Sequence, residues 1–135
     1  MNALSILFKT SRFNLSEVKA HFINPCCFGE DLAAWLRAKL IAEGIEAREP
    51  YQEDWGWELP VQQGADGYFL CMSGNSDESR DNKDLGEWRI IIQKRQSLWQ
   101  RAKGEGKIAS DDSMVALLIA ILAAEPRISD ARLES

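Results

Sequence analysis

Six consecutive residues, Glu53-Asp54-Trp55-Gly56-Trp57-Glu58, place two tryptophans and three carboxylates together near the middle of a 135-residue chain. Two chemistries follow from those residue types. The indole faces can stack on a planar or cationic group, with Glu53, Asp54 and Glu58 drawing a cation toward them. Neighbouring carboxylates can also divide into an acid and a base where burial sets their proton affinities apart. Packing competes with both. Trp55, Trp57, Leu59 and Val61 lie two apart, so the spacing predicts one strand face for them and the other for Gly56, Glu58 and Pro60. Aromatic residues at strand period commonly fill a core. Glu58 is then expected to pair across the sheet with Arg89 or Lys94. Glu53, Asp54, Trp55, Trp57 and Glu58 are the candidate binding residues, and no residue is assigned a catalytic role.

A second constellation is His21 with the adjacent Cys26 and Cys27, and Cys71 farther along. Structural zinc sites use cysteines two to four residues apart, and adjacent thiols do not share one ion well. A Cys/His nucleophilic pair lacks a nameable base partner and oxyanion donors. Cys26 does precede a predicted helix, where the dipole lowers a thiol pKa. The segment from Asn75 to Asp84 offers Asp77, Glu78, Asp81 and Asp84, but not the ligand order or central glycine of a calcium loop. Gly104-Glu105-Gly106-Lys107 lacks the spacing of a phosphate loop. Neither a metal nor a cofactor is predicted.

The formal net charge is -5 and the sequence pI about 4.9. An acidic chain without a basic stripe repels nucleic acid and anionic membrane, so neither is expected as a partner. A protein with a basic surface, or a small ligand, is the compatible class. The amino terminus alternates Leu4, Ile6 and Phe8 with polar or small residues and reads as a strand, not a secretory leader. The apolar run from Met114 to Ala124 is shorter than the ~20 residues of a membrane span. Three cysteines, two of them adjacent, point to a reduced, cytoplasmic setting.

These residues need elements to hold them. Strands are predicted over Ala3 to Phe13, Ile45 to Glu49, a segment around Trp55 to Val61, Tyr68 to Ser73 and Glu87 to Lys94. In the last, Ile90-Ile91-Ile92 suits a central strand covered on both faces. Glu30 to Glu43 is an amphipathic helix. It carries acids in its first turn, a Leu32, Leu36, Leu40 stripe widened by Ala33 and Ile41, and Gly44 as its stop. Asp112 and its neighbours cap a helix ending before Pro126. That helix gathers Ala116, Ala120, Ala123 and Ala124 on one arc, either lightly exposed or facing a second subunit. A turn or two of helix fits around Leu98 and Trp99, and a further strand fits 128–133. One α+β domain over residues 1–135 is expected. Its order is β-α-β-β-β-β-α, in a mainly antiparallel sheet of about five strands with two helices packed on one face.

Several stretches are similar to a group of small bacterial proteins to which no activity is assigned. They are Ile23-Asn24-Pro25, Phe28-Gly29-Glu30-Asp31-Leu32-Ala33 with Trp35-Leu36, Glu49-Pro50, Gln52 through Trp57, Gly86-Glu87-Trp88 and Ala124-Glu125-Pro126. The resemblance implies a bacterial cytoplasmic α+β protein and carries over no functional residue. Composition favours a non-catalytic protein- or ligand-binding module, in the manner of the small acidic immunity partners of toxins or in an accessory role. It would be a monomer or weak homodimer. The alternative is a small enzyme or ligand-binding protein with a carboxylate and aromatic pocket between sheet and helices, drawing on Glu53, Asp54, Glu58, Tyr68, His21 and Cys26.

Overall fold

The alternation that predicts the first strand also decides which face of the sheet is buried. In the computed structural model, which describes residues 3–15, 19–23, 28–76 and 85–134, Ile6 and Phe8 lie opposite Ile90 and Trp88. Ile90 and Ile92 lie opposite Met72 and Leu70. Those in turn face Trp57 and Leu59. Paired residues point to the same side, so one face is a continuous apolar layer, and every one of these side chains is buried.

The described residues form β1 (Ala3–Thr10), α1 (Glu30–Ala42), β2 (Glu46–Ala47), β3 (Tyr51–Glu53), β4 (Gly56–Gln63), β5 (Asp66–Ser76), β6 (Gly86–Lys94), α2 (Leu98–Lys103), α3 (Ser113–Ala124) and β7 (Ile128–Leu133). Every strand pair is antiparallel. The sheet order is β2-β4-β5-β6-β1-β7, with β3 also lying along β4. The expected α+β class and antiparallel sheet are present, but the described residues form seven strands and three helices, not about five and two. The difference comes from short pieces. β3 spans three residues, too few for an alternation to register, and pairs along β4 as does β2, which is the two-residue core of the segment expected over Ile45 to Glu49. β7 and α2 are the further strand and the short helix that fitted 128–133 and the surroundings of Leu98 and Trp99.

α1 buries Leu32, Ala33, Leu36 and Leu40, and α3 buries Met114, Val115, Leu118 and Leu122, in the same core as the sheet layer. Gly44 (φ 81) follows α1 in the left-handed region, as expected of its stop. Ile41 does not widen the buried stripe and is exposed. Ala116, Ala120, Ala123 and Ala124 form the exposed arc of α3. β1 ends at Thr10 and not at Phe13. The Thr10 hydroxyl donates to the Arg127 carbonyl (2.7 Å) and accepts from the Arg12 amide (3.1 Å), which turns the chain out of the sheet. β6 is central, but Ile91 on its second face is only half-buried, so the expected cover on both faces is not found.

Candidate functional site

The Glu53–Glu58 stretch is a hairpin tip. Glu53 pairs with Gly56, Gln52 with Trp57 and Tyr51 with Glu58, which leaves Asp54 and Trp55 as a two-residue turn. Gly56 sits here because a Cβ at this position would lie 2.1 Å from the Met72 carbonyl oxygen on β5. The turn separates the two tryptophans. Trp57 points into the core, 5% exposed, under the ring of Phe22 (5.4 Å between centroids) with His21 at 6.4 Å. Trp55 is 44% exposed. The single strand face predicted for Trp55, Trp57, Leu59 and Val61 therefore holds for the last three only. A chain reversal resets the alternation at Asp54 and Trp55.

Glu58 makes neither of its expected pairings. It lies opposite Cys71, whose thiol donates to Glu58 Oε1 (3.6 Å). Arg89 is taken by Glu134 (2.7 Å) and Lys94 by Asp112 (2.9 Å). Burial, and then the Glu58 carboxylate, push the Cys71 thiol up to about 12. The charge of Glu53 acts in the same direction, which fits its place on the same sheet face. Glu53 and Asp54 both have interaction partners. Cys71 is thus a protonated, inert thiol at neutral pH.

This second face of the sheet is not lined by apolar residues alone. Register places Leu7, Ile91, Phe69, Pro60 and Glu58 on it, all half-buried, around Cys71. Its two ends differ in charge. At the Gly56 end of β4 stand Glu53, Asp54, exposed Trp55 and Glu58. At the Gln62 end, about 20 Å away at strand rise, two open grooves share Phe69 and Arg95. One, about 840 Å³, runs beside β2 and β3 and mixes Glu46 and Glu49 with Arg48. The other, about 700 Å³, runs beside α2 and is lined by Lys94, Arg95, Arg101 and Lys107 together with Phe69 and Ile108.

A buried polar knot fastens this second end. Asp112 caps α3 by accepting from the Met114 amide (2.9 Å), and it also accepts from the Tyr68 hydroxyl (2.8 Å) and Lys94 Nζ. Burial alone would raise the Asp112 carboxyl, but these donors, Lys94 foremost, hold it below the ordinary carboxylate range. Burial and the same carboxylate push the Tyr68 hydroxyl well above its ordinary value. Asp112 was legible as a cap, but its link to Tyr68 and Lys94 spans three separate elements and left no sequence signal.

Between sheet and helices, where a carboxylate and aromatic pocket was the alternative expectation, Leu32, Leu36, Leu40, Trp57, Leu59, Leu70 and Trp88 fill the layer. Among the residues named for that pocket, Tyr68 is buried and committed to Asp112, while His21 is exposed and paired with Glu30. Cys26, Cys27, Asp77, Glu78, Asp81 and Asp84 lie outside the described residues. Among the described residues, no group of three or more His, Cys, Asp or Glu side chains could hold a metal, and no helix is long and apolar enough to cross a membrane. No family model, no curated protein and no solved structure matches the chain.

Proposed function

We propose that the protein is a non-catalytic binding module that docks a basic surface of a protein partner on the β3–β4 hairpin. Trp55 is the anchor, and Glu53, Asp54 and Glu58 supply the attracting field. The observation that carries this reading is the exposed Trp55 ring, held in a two-residue turn directly after two acidic residues. Tryptophan is enriched among the residues that dominate protein interfaces, because it covers much area at little conformational cost. Charge complementarity speeds encounter and rejects wrong partners. Neither of the two groups whose proton affinities rise is set up as a nucleophile or a base. Cys71 and Tyr68 both hold their protons more tightly than usual, the reverse of what an activated nucleophile or base needs. A bacterial cytoplasmic setting and an immunity-like or accessory role fit the acidic charge, with the chain acting as a monomer or a weak homodimer.

Affinity capture from native bacterial extract tests the proposal. A stoichiometric protein with a basic surface is expected, with binding that weakens as salt is raised. Reversing Glu53 and Asp54 to lysine should lower affinity by at least about tenfold. A native extract that yields no such partner, or a complex indifferent to the reversal and to salt, would contradict it.

A further inference from the structure

We propose that the groove beside α2 is a site for a small organic polyanion, a phosphate ester or a polycarboxylate, held by Arg95, Arg101 and Lys107 against Phe69 and Ile108. Four basic residues and no acidic one line this groove of about 700 Å³, in a chain whose net charge is -5. The volume lies within the range of small-ligand sites. Lys94 is already neutralised by Asp112. None of the ion pairs between described residues involves Arg95, Arg101 or Lys107. Three like charges gathered on one concave surface repel one another, and an anion lodged among them removes that repulsion.

Arg95 is also pre-positioned. A Cβ at Gly67 would lie 2.8 Å from Arg95 Cδ and 2.9 Å from Gln62 Oε1, so the missing side chain makes the space across which the arginine lies. Its guanidinium is 5.8 Å from the Phe69 ring centroid, and its own amide bonds the Gly67 carbonyl (2.9 Å). A planar fork held over an aromatic face loses little freedom when it grips a phosphate or carboxylate. α2 brings the second arginine. Ser97 and Gln100 close a capping box at its start, and Gly104 in the left-handed conformation stops it after six residues, which fixes Arg101 beside β6. Phe69 and Ile108 add an apolar wall, so the structure favours an anion with an organic body over a bare inorganic ion.

Calorimetric titration of the full chain at low and physiological salt tests this with inorganic triphosphate, citrate, adenosine 5′-triphosphate and uncharged adenosine as probes. Citrate or the nucleotide should bind more tightly than about millimolar and weaken with salt, and adenosine should not bind. Which of the two binds better separates a polycarboxylate site from a phosphate-ester site. Arg101→Ala combined with Lys107→Ala, both at exposed positions, should weaken binding at least about tenfold. Lys103→Ala, on the same helix but outside the groove, should change it less than about twofold. Gly67→Ala should weaken binding several-fold while removing no charge, because it displaces Arg95. Circular dichroism confirms that each variant is folded, and the Arg101/Lys107 pair decides the matter if Gly67→Ala is not. The proposal is overturned if no organic polyanion binds, or if the Arg101/Lys107 change leaves binding unaltered. It is also overturned by a single-stranded oligonucleotide binding more tightly than every small probe, or by light scattering that shows a second copy of the chain occupying the groove.

Discussion

The two ends of the sheet's second face are fastened to the same core by different chemistry. The acidic hairpin is held through Trp57, an aromatic anchor beneath Phe22 and His21. The basic end is held through Asp112, a carboxylate bonded to Tyr68, Lys94 and the first turn of α3. Aromatic burial depends on area and shape and carries no proton. The polar knot depends on the ionised state of one carboxylate. Each end can therefore be perturbed separately, and acid should loosen the basic end first.

Removing the aromatic anchor should have the largest effect. Trp57→Ala is expected to cost about 3–5 kcal/mol of stability by urea denaturation. Trp55→Ala, two residues away, should stay within about 0.5 kcal/mol. Equal losses at both positions would erase the distinction between anchor and exposed tip. Breaking the knot comes next. Asp112→Ala leaves a half-buried lysine and the buried Tyr68 hydroxyl without their acceptor and uncaps α3, for an expected loss of about 2–3 kcal/mol. Because the Asp112 carboxyl is held below its ordinary value, its contribution is present above about pH 4 and lost as pH falls through the lowered value. Urea midpoints at about pH 7 and about pH 3 should show this acid loss in the wild type and a smaller loss in Asp112→Asn.

Gly56→Ala should cost about 1–3 kcal/mol, since its methyl meets the Met72 carbonyl and can be admitted only by opening β4 from β5. The smallest effect concerns Cys71. Its raised pKa keeps the thiol protonated well above neutrality, and the stability this confers is lost only as pH climbs from the ordinary thiol value toward about 12. Peptide-resolved alkylation at about pH 8 should label Cys71 far more slowly in the native protein than in urea. Rapid native labelling would mean that this face opens readily.

What could be read from the sequence was what is local and periodic. α1, α3 with its Asp112 cap, the long strands and the buried stripe of Leu32, Leu36 and Leu40 all repeat at the spacing of their element. The hairpin tip was half legible. Trp57, Leu59 and Val61 kept their predicted face, while the turn took Trp55 out of the alternation. β3 was too short to show any period, and the strand expected over Ile45 to Glu49 shrank to the two residues of β2. The basic groove was half legible: Lys94, Arg95, Arg101 and Lys107 fall in one basic stretch of the sequence, but the apolar wall of Phe69 comes from β5, and the folding of α2 and the following loop against that strand leaves no periodic signal. The exchange of partners, Lys94 to Asp112 and Arg89 to Glu134 in place of Glu58, depends on register and helix placement that charge counting does not carry.

Capture by Trp55→Ala compared with wild type is the most direct test of the docking hairpin, with both proteins shown by denaturation to be equally stable. The exposed ring predicts that the variant folds normally and loses the partner by at least about tenfold in affinity. A folded Trp55→Ala protein that retains the partner at wild-type strength would contradict the assignment of this hairpin as the docking surface.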